Sequence, residues 1–259
     1  MPDTSNVDTE WFSEEDLSKM KGFADESTID SFIERFGGER IDKAHSNLEI
    51  LNADYIFHKQ KIIIELKTLE NEVSNTDQFR EKMKVAYRKI YSRSGKGPLS
   101  LDDEITKYYF KVFLDLFRPP LARIVKKANN QIRSTKENLG YADYRGIILI
   151  VNDNLKELPP LLMMATLGRI LNGSCSSIRA MIYLTNHYVV MPGDEYGRIL
   201  WAPLYADAEG DNLVDFVNEL CSRWFTYCEG LGMPVDYRQV GRDISLDGSR
   251  AAGSEFPIS

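Results

Sequence analysis

Apolar positions recur along the chain with two periods, and the two periods divide it into helices and strands. In residues 27–36, Ile29, Phe32, Ile33 and Phe36 fall on one helical stripe behind Ser27, with Gly37-Gly38 as a stop. This spacing predicts a short amphipathic helix with Ser27 as its N-cap. Ile62, Ile63 and Ile64 are β-branched and predict a strand buried on at least one face. Tyr55-Ile56-Phe57 before it predicts the other arm of a hairpin that turns around Lys59 and Gln60.

Helical spacing returns in residues 76–93, through Phe79, Met83, Ala86, Tyr87 and Ile90, until Gly95-Lys96-Gly97-Pro98 breaks it. That glycine-containing loop lacks the spacing of a phosphate-cradling P-loop and reads as a turn. A second helical stretch covers 102–117 and ends at Arg118-Pro119-Pro120, and a third covers 121–138 and closes at Gly140. Residues 146–152 form an apolar run of the kind found in strands covered on both faces. Beyond it, the pattern predicts a helix at 158–171, strands at 178–190 and 198–205, and a helix at 211–231. The stripe of that last helix is Leu213, Phe216, Val217, Leu220, Trp224 and Cys228. The whole predicts an α/β chain with a central mixed β-sheet flanked by helices. It divides into an acidic segment (1–26), a single domain (27–235) and a flexible Gly-, Ser-, Asp- and Arg-rich tail (236–259).

Composition narrows the class. With 43% hydrophobic residues in 259, the chain can bury a full core. The polar start and the lack of any apolar run near about 18 residues predict a cytoplasmic protein without a membrane partner. Three cysteines with no C-x-x-C pair argue against a disulfide framework, and three scattered histidines argue against a typical zinc site. His58 is expected at the hairpin turn.

The candidate chemistry lies in the hairpin. If Phe57 faces Ile62, the pairing continues as Ile56 with Ile63, Tyr55 with Ile64 and Asp54 with Glu65, so two carboxylates meet roughly 5 Å apart. Alternation then puts Lys67 on their face. Like charges held that close repel unless a cation sits between them, and hard oxygen donors favour Mg²⁺ or Mn²⁺ completed by water and a phosphate ester. A three-residue loop would instead send Asp54 and Glu65 to opposite faces. An ordinary edge hairpin, with these charges in solvent and Lys67 in a surface ion pair, is the other reading.

An Asp on one strand, Glu-x-Lys on the next and often a Glu on a preceding helix form the pattern of the PD-(D/E)xK nuclease superfamily. At Asp54, Glu65 and Lys67 this chain resembles it, with Ala53 where the family pattern has Pro. The resemblance implies a restriction-endonuclease-like core in which Asp54 and Glu65 bind the metal, helped by the backbone carbonyl of Leu66. It implies that Lys67 orients or deprotonates the attacking water. The order of hairpin, helical stretch and buried strand is similar to that core as far as residue 152. Carried over by position, the helix carboxylate falls on Glu34, which points away from its apolar stripe, and Glu49 competes with it. The same order makes Gln131 a residue facing the site, or an exposed helix glutamine.

Charge distribution bears on the partner. The net charge is −7, yet residues 1–30 hold nine acids against two bases, residues 194–259 twelve against five, and the middle 25 bases against 18 acids. Residues 78–97 contain Arg80, Lys82, Lys84, Arg88, Lys89, Arg93 and Lys96 with Glu81 alone. Residues 118–136 contain Arg118, Arg123, Lys126, Lys127, Arg133 and Lys136 with no acid. These are candidate phosphate-contacting faces, with Arg80, Lys84, Arg88, Lys126, Lys127 and Arg133 as the expected contacts, or else solvated helix faces balanced by the acidic ends. The sequence thus predicts a Mg²⁺- or Mn²⁺-dependent phosphodiesterase of endonuclease type acting on nucleic acid, DNA ahead of RNA. The rival is a non-catalytic nucleic-acid-binding or assembly module whose acidic ends meet a protein partner or a second copy.

Overall fold

Why the hairpin forms is visible in its own residues. Tyr55–Phe57 (β2) and Ile62–Leu69 (β3) pair antiparallel through Tyr55 with Ile64, Ile56 with Ile63 and Phe57 with Ile62. The computed structural model describes residues 13–44, 52–70, 81, 85, 104–156, 158–191, 196–206, 211–233 and 249–254, with the backbone alone at 44, 104–110, 112–113, 174 and 211. Around the hairpin, Glu39–Arg40 (β1) pairs antiparallel with β2, while Arg145–Asn152 (β4) and Ile178–Thr185 (β5) continue the sheet parallel to β3. Trp201–Tyr205 (β7) closes it antiparallel to β5. The result is an α/β protein built on a six-stranded mixed sheet in the order β1-β2-β3-β4-β5-β7, with Val189–Val190 (β6) in a separate two-stranded sheet.

Helices cover both faces because β3, β4 and β5 are apolar on both. On one face Ile63, Ile148, Ile150 and Met181 meet Val125, Ala128 and Ile132 of the helix Glu104–Leu139 (α4), and Met163 and Leu167 of Pro160–Ser174 (α5). On the other, Ile62, Ile64, Leu149 and Ile182 meet Ile29 and Ile33 of Glu26–Phe36 (α2), and Val217 and Leu220 of Asp211–Gly230 (α6). Rings finish that second face: Phe57 meets Phe216 edge-on at 5.1 Å, and Phe32 meets Trp224 at 5.2 Å. Gly146 lets α4 lie close to β4, since a Cβ there would collide with the Ser177 carbonyl and the Ile132 side chain. Two short helices, Glu14–Lys19 (α1) and Ile41–Ala44 (α3), lie on either side of α2 in the chain.

Four expectations change. The N-cap of α2 is Asp25, whose carboxylate accepts from Thr28 N–H at 3.0 Å and also takes the Ser27 hydroxyl, so the stronger acceptor displaces the expected Ser27. Pro119 and Pro120 lie inside one continuous helix rather than between two. The missing N–H groups cost backbone bonds, but Phe117 and Leu121 on either side are both buried in the core and hold the turn. The stretch 178–190 is not one strand, because the chain bends at Asn186 and His187 before joining the second sheet.

The fourth change concerns the ends. Arg250–Ala251 (β8) pairs with β6, and Arg250 forms a two-pronged ion pair with Glu14 of α1. Ala252 N–H donates to Tyr188 O at 2.8 Å, and Leu17, Tyr188 and Ala252 form a small apolar cluster beneath. Thus 249–254 is docked within the segment expected to be a tail, and the acidic segment contributes α1 to the same clasp. The expected basic helix at 76–93 lies outside the described residues apart from 81 and 85. Among the described residues, no helix is long and apolar enough to cross a membrane.

Candidate active site

The observed pairing has the four-residue connection 58–61, whose last residue, Lys61, adopts φ 55°. Continued by one residue, it sets Asp54 opposite Glu65. Side chains alternate along a strand, so Asp54, Ile56, Ile63, Glu65 and Lys67 all belong to the face covered by α4. Asp54 Oδ2 accepts from Leu66 N–H at 2.7 Å, which caps the end of β2 and fixes the carboxylate against β3. Glu65 is fully buried, and its Oε1 is paired with the Lys67 ammonium, whose side chain remains 20% exposed. The three side chains therefore converge, with Lys67 at the mouth.

The electrostatics follow from burial. Desolvation raises the Glu65 carboxyl to about 8, and the neighbouring Asp54 charge pushes the same way. Lys67 pulls in the opposite direction and is outweighed, because it keeps access to water while Glu65 has none. Asp54 is also raised, chiefly by burial, against the Leu66 N–H bond and the charge of Lys67. The Asp54 charge disfavours ionisation of Glu65, so the pair resists carrying two negative charges at once.

A divalent cation would relieve that repulsion. Glu65 Oε2 is buried and has no hydrogen-bond partner, an omission that ordinarily costs about 1–3 kcal/mol. The C=O of a strand residue points to the same side as its N–H, so the Leu66 carbonyl faces the Asp54 side together with its N–H. Two carboxylate groups and one carbonyl make an all-oxygen donor set suited to Mg²⁺ or Mn²⁺. Among the described residues there is no cluster of three or more His, Cys, Asp or Glu that could ligate a metal, so water or substrate oxygens would have to complete the set.

Helix α4 anchors the loop that carries Asp54. Thr135 Oγ1 accepts from Ala53 N–H at 2.8 Å and donates to Gln131 O at 3.0 Å, while Gln131 Nε2 donates to Asn52 O at 3.1 Å. Gln131 is thus buried beside the site and is not an exposed helix residue. Its Oε1 and Asn52 Oδ1 are, like Glu65 Oε2, buried without partners. Sequence reasoning passed over Thr135. Its only local mark is its position one turn beyond Gln131 on the same helix.

Other candidates fall elsewhere. Glu34 is on α2, across the sheet from the carboxylate pair, with Lys43 at 2.7 Å. Glu49, Arg80, Lys84 and Arg88 lie outside the described residues. Lys126, Lys127 and Arg133 are exposed on α4, and Arg133 donates to Asn130 Oδ1 at 3.2 Å. His58 is in the turn as expected, with Tyr144 OH at 3.1 Å and Glu39 Oε1 at 2.7 Å. Comparison of the chain with protein-family models, with curated proteins and with solved structures found no match.

Proposed function

We propose that this chain is a metal-dependent nuclease that hydrolyses phosphodiester bonds, DNA ahead of RNA, on a restriction-endonuclease-like core. One observation carries the reading: the half-buried Asp54 carboxyl lies across the hairpin from the fully buried Glu65 carboxyl, one oxygen of which has no partner, and an ammonium stands beside them. Asp54, Glu65 and the Leu66 carbonyl would hold Mg²⁺ or Mn²⁺, which supplies positive charge to the phosphate and makes a water more acidic. Lys67, at the exposed mouth, is placed to orient the attacking water and to offset charge developing on the phosphate oxygens. Burial keeps bulk water from screening these charges. Thr135 and Gln131 fix the backbone before Asp54 so that the carboxylate does not swing away.

The test is cleavage of DNA and RNA panels with Mg²⁺, Mn²⁺ or chelator. Glu65→Ala and Lys67→Ala are each expected to lose about 10²–10³-fold in rate while keeping the fold, in line with removal of an electrostatic catalytic group. Full activity in both purified variants rejects the reading. One observation favours a non-catalytic binding or assembly module instead: Lys67 is already engaged by Glu65. A Mn²⁺ titration separates the two, because the enzyme binds the ion through Asp54 and Glu65 and the module does not.

A further inference from the structure

Helix α4 carries more than the anchor for Asp54. At about 100° per residue, Lys127 stands ~40° and Arg123 ~80° around the helix from Gln131, both turned outward from the buried arc of Leu121, Val125, Ala128 and Ile132. Arg123, Lys127 and Gln131 thus form one row at four-residue spacing, each residue a neighbour of the next. The inner end of the row is fixed by the Gln131 bond to Asn52 O, two residues before Asp54. The row also has a direction. Helix α4 lies in the crossover between the parallel strands β3 and β4, so it runs back against β3, and stepping from Gln131 to Lys127 to Arg123 moves towards the Lys67 end of that strand.

Lys126 and Arg133 lie further round the helix, ~140° and ~160° from Gln131 by the same count, with Lys126 ~60° beyond Arg123. No ion pair among the described residues holds Arg123 or Lys127, and no acid occurs between residues 118 and 136 to neutralise them. Among the described residues, two cations without an ion-pair partner thus stand in a line that ends near Asp54, a surface suited to phosphate.

We propose that the Arg123–Lys127–Gln131 row is the rail on which the sugar-phosphate backbone of the nucleic acid lies as it enters the Asp54–Glu65 site, and that the basic charges on the other flanks of α4 take no part. The identity of the partner rests on the nuclease reading. Two cations contacting phosphates at fixed places on the helix hold the backbone without reading its sequence, so the rail supplies affinity and register. Each contact releases a condensed counterion, which makes its loss measurable as a change in salt dependence.

The test matches charge for charge. Arg123→Gln with Lys127→Gln is compared with Lys126→Gln with Arg133→Gln, all four positions being exposed. A short fluorescein-labelled DNA duplex is titrated with each full-length protein in chelator over a salt series. The first pair is expected to lose about tenfold or more in affinity and to lower the slope of log affinity against log salt by about 2, and the second to stay within about twofold of the parent. Equal losses from the two pairs, no loss from the first, or no binding by the parent protein overturns the rail. Cleavage by Glu65→Ala is measured alongside. If that variant still cuts DNA while the first charge pair is lost, the nuclease site falls and the rail stands; if it is dead and the two charge pairs behave alike, the reverse holds.

Discussion

Strands β3 and β4 run side by side, parallel and in register, and α4 packs on the same face of both. Where β4 places Ile148 and Ile150 on that face, β3 places Glu65 and Lys67 directly opposite them. Neighbouring positions of equal depth thus have opposite chemistry. The isoleucines gain from leaving water, whereas the carboxylate loses its hydration and regains only one partner for two oxygens. Stability alone would have filled β3 as it filled β4, so the difference between the strands is a cost that packing does not explain.

Exchanging the two environments gives the largest expected effect. Ile148→Glu puts a carboxylate into the same layer with no equivalent of Lys67 on its strand, and it should destabilise the protein by about 3–5 kcal/mol. Urea unfolding measures this as a midpoint shift at constant slope. An unchanged midpoint would mean that the layer tolerates charge anywhere and that Glu65 is unremarkable.

Next in size is the pH dependence that β3 has and β4 lacks. Glu65 titrates near 8 in the fold against 4.5 in an ordinary setting, so the folded chain keeps a proton that the unfolded chain has released. Its stabilising contribution is whole below 4.5 and declines as pH rises towards 8. His187 acts in the other direction and in a lower window: burial lowers it to about 4 from 6.5, so its contribution is whole above 6.5 and is lost as pH falls towards 4. Above 6.5 the carboxyl effect stands clear of it. Metal-free protein should therefore lose on the order of 2 kcal/mol between pH 6.5 and 8, Glu65→Gln should flatten the curve, and excess Mn²⁺ should stabilise more at pH 8 than at 6.5. Stability that rises over this range in metal-free protein contradicts the raised Glu65 carboxyl.

The smallest effect sharpens the part of the contrast that belongs to α4. Thr135→Val keeps the shape but leaves Ala53 N–H buried without an acceptor, at a cost of about 1–2 kcal/mol. Thr135→Ser restores the hydroxyl and should recover most of it. If the valine variant binds Mn²⁺ as tightly as the parent protein, Thr135 supports the fold and does not position Asp54.

The hairpin was readable because two signals agree there: β-branched and aromatic residues mark both strands, and the apolar pairing of Phe57 with Ile62 sets the register that brings Asp54 to Glu65. Gln131 could be placed near the site only by its order in the chain, since nothing in a helical glutamine tells whether its amide meets a loop or water. Thr135 gave still less, because its partner is a backbone N–H that only the packed fold brings to it. Pro119-Pro120 misled for a related reason: local rules end a helix there, but burial of Phe117 and Leu121 is decided by contacts distant in sequence. The clasp of Arg250 on Glu14 joins the two ends of the chain, a separation no local pattern spans.

The connection at 58–61 makes the chemistry a matter of counting. A one-residue slip in the pairing of Phe57 with Ile62 would turn Asp54 towards the aromatic side of the sheet, away from Glu65. The strands could still pair while the candidate trio came apart, so the register at the hairpin tip decides whether these three side chains meet.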